Sequence, residues 1–191
     1  MKKVAILASY NGSGFKAIHE ASLNKEIDFK VVLVISNNSD AKALQSAKEY
    51  GIESFVVNSK TDSLPDDKIE KLLKKFECEY VFLSGYMKKL SADLTKKFKI
   101  INSHPSLLPK YGGEGMYGRF VHEAVINGKE KYSGVTVHEV NEKYDEGKVI
   151  LQKRLTINEN EDVDSLESRV KKLELETIVE VFKKYLNKPS V

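Results

Sequence analysis

Short apolar, β-branched runs alternate with stretches of helical period through the first hundred residues. Residues 4–8, 30–35, 54–57 and 81–84 have strand length and read as buried strands, with residues 100–101 a fifth just before Asn102. Between them, Ile69, Leu72, Leu73 and Phe76 stand at i, i+3, i+4 and i+7 after Pro65 and two aspartates, a helix opened by proline and acids. Residues 41–50 form another helix-period segment, closed by Gly51. This βαβ alternation predicts an α/β fold: a mostly parallel, doubly wound (Rossmann-like) sheet with helices on both faces. Beyond Gly134 the period becomes two. Val135, Val137 and Glu139 alternate with Thr136, His138 and Val140, and residues 149–155 follow, so a C-terminal antiparallel strand pair is expected. Residues 163–186 read as a long closing helix. No repeat, low-complexity tract or Pro/Gly linker interrupts the pattern, and residues 1–191 are expected to form a single domain.

Composition mainly excludes. The 31 Lys+Arg and 28 Asp+Glu nearly cancel to +3 and are interspersed along the chain, so no nucleic-acid footprint is expected. The single Cys78 forbids an internal disulfide, and four histidines show no zinc-type spacing with it, so no metal is expected. The first apolar run is too short for a signal sequence, and none approaches the roughly 18 residues that cross a bilayer. The expectation is a cytoplasmic protein, monomer or homodimer, with no membrane partner.

Three polar clusters could carry chemistry. The first strand leads into Ser9-Tyr10-Asn11-Gly12-Ser13-Gly14, with a helix expected from Phe15. A glycine-containing strand-to-helix turn offers backbone N–H groups and a positive helix end to a phosphate. Gly12 to Ala17 also fits G-x-G-x-x-A, but a dinucleotide needs an acid at the end of the second strand. Ser36-Asn37-Asn38-Ser39 stand there, which favours a single phosphate; a plain tight turn remains the alternative.

In Asn102-Ser103-His104-Pro105, Asn102 and His104 are two apart on a strand and face one side. Asn can donate to an oxyanion and His can donate or shuttle a proton, although a structural histidine explains the pair equally well. The third cluster runs from His138 to Gly147, with Glu142, Asp145 and Glu146 as acids that can take a proton or simply face solvent. His19 and His122 fall in helical segments and read as surface or packing residues. On the last helix, Val170, Glu174, Ile178 and Phe182 are spaced by four, so Glu174 interrupts an apolar ridge. It must reach the helix edge or meet a polar partner.

Taken together, these motifs resemble the phosphoribosylglycinamide formyltransferases, from Val4 to about Tyr185. The similar stretches are Asn11-Gly12-Ser13-Gly14, the segment Leu83 to Ser91, Asn102 to Tyr111, and Tyr144-Asp145-Glu146-Gly147. The resemblance implies transfer of a formyl group from 10-formyltetrahydrofolate to glycinamide ribonucleotide in purine biosynthesis, through a tetrahedral intermediate and with both substrates as small-molecule partners. It implies Asn102, His104 and Asp145 as catalytic residues, and Asn11, Gly12, Ser13 and Gly14 at the substrate phosphate. It further implies Glu174 on a polar group of the ribonucleotide, and Met87, Lys88, Lys89, Leu90, Asn141, Glu142, Lys143 and Tyr144 around the folate. A cis Leu108–Pro109 bond is implied as well.

The chain departs from the family at Gly14, where Asn is common, and at Lys88, where Arg is usual. The loop before Pro65 lacks the Arg that meets the folate's glutamate tail, and residues 112–118 are glycine-rich without the common histidine. Another folate-dependent formyltransferase, a formyltetrahydrofolate hydrolase, or a non-catalytic nucleotide-binding module are the alternatives. The first two carry an added C-terminal or N-terminal domain that this length does not lead one to expect.

Overall fold

Seven strands, β1 (Lys2–Leu7), β2 (Phe29–Ser36), β3 (Glu53–Val56), β4 (Tyr80–Leu83), β5 (Lys99–His104), β6 (Tyr132–Glu139) and β7 (Val149–Thr156), form one sheet in the computed structural model, which describes residues 1–186. Their order is β3-β2-β1-β4-β5-β6-β7. Pairings from β3 through β5 are parallel, and β5–β6 and β6–β7 are antiparallel. The mixed sheet is the one the sequence periods predict. Its unforeseen feature is that β6 pairs with β5, so the C-terminal hairpin extends the sheet.

The helices are α1 (Ser13–Leu23), α2 (Lys42–Glu49), α3 (Pro65–Lys75), α4 (Ala92–Lys97), α5 (Arg119–Asn127) and α6 (Val163–Glu180). On one face, Phe15 and Ile18 of α1, Ala43 and Ala47 of α2, Val121 and Val125 of α5, and Leu166 and Val170 of α6 pack on Val4, Ile6 and Phe82. On the other, Ile69, Leu72 and Leu73 of α3 and Leu94 of α4 cover Ala5, Leu7, Val81 and Ile100. At roughly 1.5–3 kcal/mol per fully buried large aliphatic or Phe side chain, these two layers supply the main force holding the sheet. Among the described residues, no helix is long and apolar enough to cross a membrane.

From β1 the chain winds outward through β2 to β3, then returns to place β4 on the other side of β1. That reversal opens a crevice at the C-terminal ends of β1 and β4, where open α/β sheets bind ligands.

Several boundaries differ from the sequence reading, each for a local reason. Helix α1 starts at Ser13 rather than Phe15, because Gly12 at φ 64° turns the chain directly into the helix. A Cβ on Gly12 would also stand 2.9 Å from Ala43 Cβ. Strand β5 runs on through His104, held by parallel β4 and antiparallel β6, so Asn102 and His104 lie within the ladder. The six-residue α4 is too short to show a period and is signalled by its cap, Ser91, which accepts from the Leu94 amide at 3.3 Å. The closing helix leaves α geometry after Glu180 and ends in a π turn over Val181–Tyr185. There Phe182 stands edge-on to Phe29 and Phe82, and the Leu186 carbonyl meets Lys2 Nζ at 2.7 Å. The Leu108–Pro109 bond is cis.

Candidate active site

A cavity of about 600 Å³ lies over the C-terminal ends of β1, β4 and β5. Asn11, Gly12, Ser13 and Gly14 form one end. The first amides of a helix have no intrahelical acceptor. That of Phe15 is taken by Ser84 Oγ at 3.1 Å, while Ser13 and Gly14 open α1 against the cavity. Gly14 is fixed by packing: a Cβ there would stand 2.8 Å from Phe82 Cε1 and 3.1 Å from Ile178 Cδ1. The departure from the family's Asn therefore has a steric basis in this chain.

Asn102, His104 and Asp145 meet at another wall, together with His138, which the sequence reading gave no role. His138 stands directly across the antiparallel ladder from Asn102. Its Nδ1 lies 2.8 Å from the Glu139 carbonyl, which can only accept, so Nδ1 carries the proton. Nε2 then accepts from Asn102 Nδ2 at 3.3 Å, which fixes the orientation of the amide and leaves its second N–H for a ligand. By the same logic His104 Nε2–H donates to the Tyr111 carbonyl at 2.7 Å, and Nδ1 faces Asp145 Oδ2 at 3.5 Å. Asp145 Oδ1 lies 3.5 Å from His138 Nε2, and Oδ2 accepts from the Gly113 amide at 2.9 Å. The residue has φ 55°, in the left-handed region that Asp tolerates better than most residues.

Electrostatics set these groups apart. Burial disfavours the charged His104 ring and wins over the attraction of Asp145, so its pKa falls below the ordinary value. Burial alone would raise the Asp145 pKa. The attraction of the His138 and His104 rings and the Gly113 amide outweigh it, so the group sits below the usual carboxylate range. The neighbouring acids differ: Glu142 is exposed, and Glu146 is exposed and paired with Lys143 at 3.3 Å. Among the described residues no three His, Cys, Asp or Glu are grouped to hold a metal ion.

Glu174 reaches the same cavity from α6, with Lys171 one turn earlier on that face. Its neighbours Val170 and Ile178 are buried, so Glu174 sits in the ridge and not at a free helix edge. Burial raises its pKa, opposed by Ser103 and by the charge of Lys171. The polar partner its position demands is the Ser103 hydroxyl, 2.5 Å from Oε1.

The remaining walls are two loops. Met87, Lys88, Lys89 and Leu90 follow β4, and the Met87 amide donates to Ser9 Oγ at 2.8 Å. Asn141, Glu142, Lys143 and Tyr144 follow β6, with Asn141 Oδ1 accepting from the Lys143 amide at 2.9 Å. The loops meet where Lys89 Nζ lies 5.2 Å from the Tyr144 ring centre. Tyr86, Lys88 and Lys89 also border a second cavity of about 580 Å³ beside the first.

Residues 2–182 match the formyl transferase family. The chain belongs to that family. It is 36% identical over 186 residues to the chloroplastic phosphoribosylglycinamide formyltransferase of Arabidopsis thaliana, covering 94% of this chain and 64% of the relative. It is 34% identical over 191 residues to the phosphoribosylglycinamide formyltransferase of Bacillus subtilis, covering 97% and 95% of the two chains. It thus spans less than two thirds of the plant relative and nearly all of the bacterial one. A crystal structure of the Bacillus halodurans phosphoribosylglycinamide formyltransferase superposes with a TM-score of 0.89 at 29% identity, covering 98% and 96%.

Several cavity residues of this family member had no motif to announce them. Lys171 could have been found by its helical spacing from Glu174, and His138 by pairing β6 against β5. His122 also lines the cavity, buried, with Nδ1 unpartnered and its pKa lowered by burial. Cys78 lies elsewhere, buried beneath α3, its thiol pushed up to about 12 by that burial.

Proposed function

We propose that the chain transfers a formyl group from 10-formyltetrahydrofolate to the amine of glycinamide ribonucleotide. The observation that carries this reading is the convergence of Asn102, His104 and Asp145 on a cavity whose far end is the open N-terminus of α1. A helix N-terminus suits a phosphate, and the names of the bacterial relatives accord with such a substrate. The apolar and aromatic side chains of Met87, Leu90 and Tyr144 suit a flat ring system, which the folate supplies together with the activated formyl carbon.

In this reading the phosphate rests on the amides of Ser13 and Gly14, beside Asn11 and Gly12, and Glu174 accepts from hydroxyls of the ribonucleotide. The amine attacks the formyl carbon, a C–N bond forms, and the carbonyl oxygen becomes an oxyanion in a tetrahedral intermediate. Asn102 donates its free N–H to that oxygen, and His104, neutral at rest, takes up at Nδ1 a proton released from the attacking nitrogen and donates it toward the oxyanion. Asp145 orients water that takes the proton from the attacking nitrogen and returns one to the departing folate nitrogen as its C–N bond breaks. The low pKa of Asp145 keeps it an acceptor throughout. Residues 1–191 act as one formyltransferase domain, monomer or homodimer, on small molecules in the cytoplasm.

The test is a steady-state assay of the purified chain with both substrates, followed by the absorbance change on folate release. Turnover that requires the ribonucleotide supports the reading. Folate release at the same rate without the ribonucleotide identifies a hydrolase, and no release at all refutes formyl transfer.

A further inference from the structure

Strand β5 carries three consecutive polar residues into the cavity, and the pleat sends them to opposite faces. Asn102 and His104 turn toward Asp145 and His138. Ser103, between them, turns toward α6, where its hydroxyl donates to Glu174 Oε1 at 2.5 Å across 71 residues of sequence. A carboxylate has about four acceptor sites, so this bond leaves Oε2 and part of Oε1 for other donors. Glu174 is otherwise flanked along its helix by buried Val170 and Ile178, which offer no hydrogen bond. Among the described residues, Ser103 is thus the side chain whose hydrogen bond orients the carboxylate, with Lys171 attracting it by charge alone.

We propose that Ser103 is a positioning residue for nucleotide recognition, holding Glu174 so that its remaining acceptors face the hydroxyls of the bound ribonucleotide. The inference rests on the reading of Glu174 given above. It gives β5 a double role. One face holds the groups that act on the formyl carbon, and the other sets the carboxylate that holds the nucleotide. A step of one residue along a rigid strand then fixes the distance between the two, which is the alignment a two-substrate transfer requires. The same bond helps keep Glu174 ionised against its burial, together with Lys171 on the same helix. An anion accepts more strongly from hydroxyls than a neutral acid does.

The experiment compares wild type, Ser103→Ala and Ser103→Thr as full chains, varying each substrate in turn. Ser103→Ala is expected to raise KM for glycinamide ribonucleotide about five- to tenfold, the loss of roughly one charge-assisted bond, with kcat and the folate KM within about twofold. Ser103→Thr keeps the hydroxyl and is expected to bring KM back to within about threefold of wild type. In a Glu174→Gln background, Ser103→Ala is expected to add less than about twofold, since the two act as one unit. An unmoved KM in Ser103→Ala, a loss confined to kcat, or an effect that multiplies fully with Glu174→Gln overturns the proposal while wild-type turnover leaves the function intact. A wild type without turnover overturns the reading of function, and the role of Ser103 with it.

Discussion

Where β1 ends, the chain lines the cavity with main chain, the turn at Gly12 and the first amides of α1, while the loop after Leu83 adds the side chains of Met87 and Leu90. Where β5 and β6 run antiparallel, it lines the cavity with side chains: Asn102, His104, His138 and, from the loop beyond, Asp145. In the proposed reaction the turn at Gly12 binds the phosphate through backbone amides, which every residue but proline possesses. It therefore tolerates changes of side chain but not displacements of backbone. In the same proposal the antiparallel half works through particular nitrogen and oxygen atoms, Asn102 being held across the strands by His138, so it is sensitive to chemistry at almost constant shape.

The largest effect should come from the antiparallel half. Asp145→Asn preserves shape, because Asn tolerates φ 55° and its carbonyl can still accept from the Gly113 amide. What it loses is the ability to take up a proton through bound water. The expected cost is on the order of 10²–10⁴ in kcat, with both substrates binding within a few-fold. Single-turnover rates and equilibrium titration of each substrate check this. Near-normal turnover would remove Asp145 from the reaction and erase the contrast between the halves.

The reverse experiment moves backbone in the parallel half without touching chemistry. Gly14→Ala gains about 1 kcal/mol of helix propensity. It also forces a methyl to within 2.8 Å of the buried Phe82 ring and 3.1 Å of Ile178, and such overpacking costs roughly 1–3 kcal/mol. The cost wins. Thermal unfolding should drop by a few degrees, at about 2–4 °C per kcal/mol for a chain of this size. KM for the ribonucleotide should rise as the first amides of α1 shift, with kcat little changed. A variant as stable as wild type would show that Phe82 can yield.

The two halves were also unequally legible in the sequence. Apolar runs and helical periods were enough to place β1 to β4 and α3, because a parallel sheet buries both faces and leaves a local signature. Gly12 and Ser13 were readable for the same reason, since a turn from strand to helix is a local event. His138 and Ser103 were not readable, because their roles depend on partners 36 and 71 residues away in sequence. The pattern of residues 135–140 announced a strand without naming its neighbour, and only the β5–β6 register puts His138 opposite Asn102. Glu174 lay between the two cases. Its place in an apolar ridge demanded a partner, but nothing local identified Ser103. The resemblance to the family singles out Asp145 over Glu142 and Glu146; physically, only the fold separates a half-buried acid between two histidines from solvated neighbours.

A smaller effect is expected from Ser13→Ala, which removes a hydroxyl from the phosphate end and leaves the amides in place. KM for the ribonucleotide should rise roughly three- to tenfold, about one hydrogen bond to a charged group, with kcat unchanged because the phosphate is bound alike in ground and transition states. Steady-state kinetics with the ribonucleotide varied give the answer. An unchanged KM would leave the backbone as the only phosphate ligand of α1, which sharpens the contrast between main chain and side chain.

The smallest effects should fall on the acids beside Asp145, and they test whether position alone makes an acid catalytic. Glu142 lines the cavity but is exposed, so water screens its charge and offers its oxygens many competing partners. Glu146 is exposed, and its Oε2 meets Lys143 at 3.3 Å, a surface pair worth about 0–1 kcal/mol. Neither has the Gly113 amide bond and the two flanking histidine rings, each 3.5 Å away, that surround Asp145. Glu142→Gln and Glu146→Gln should each cost less than about 1 kcal/mol in activation free energy, roughly a factor of five in kcat/KM. Measured beside Asp145→Asn, they set a baseline for acids of the same loop. If either matched the loss at Asp145, proton transfer would run through a solvated carboxylate, and the cross-strand scaffold would be incidental to the reaction.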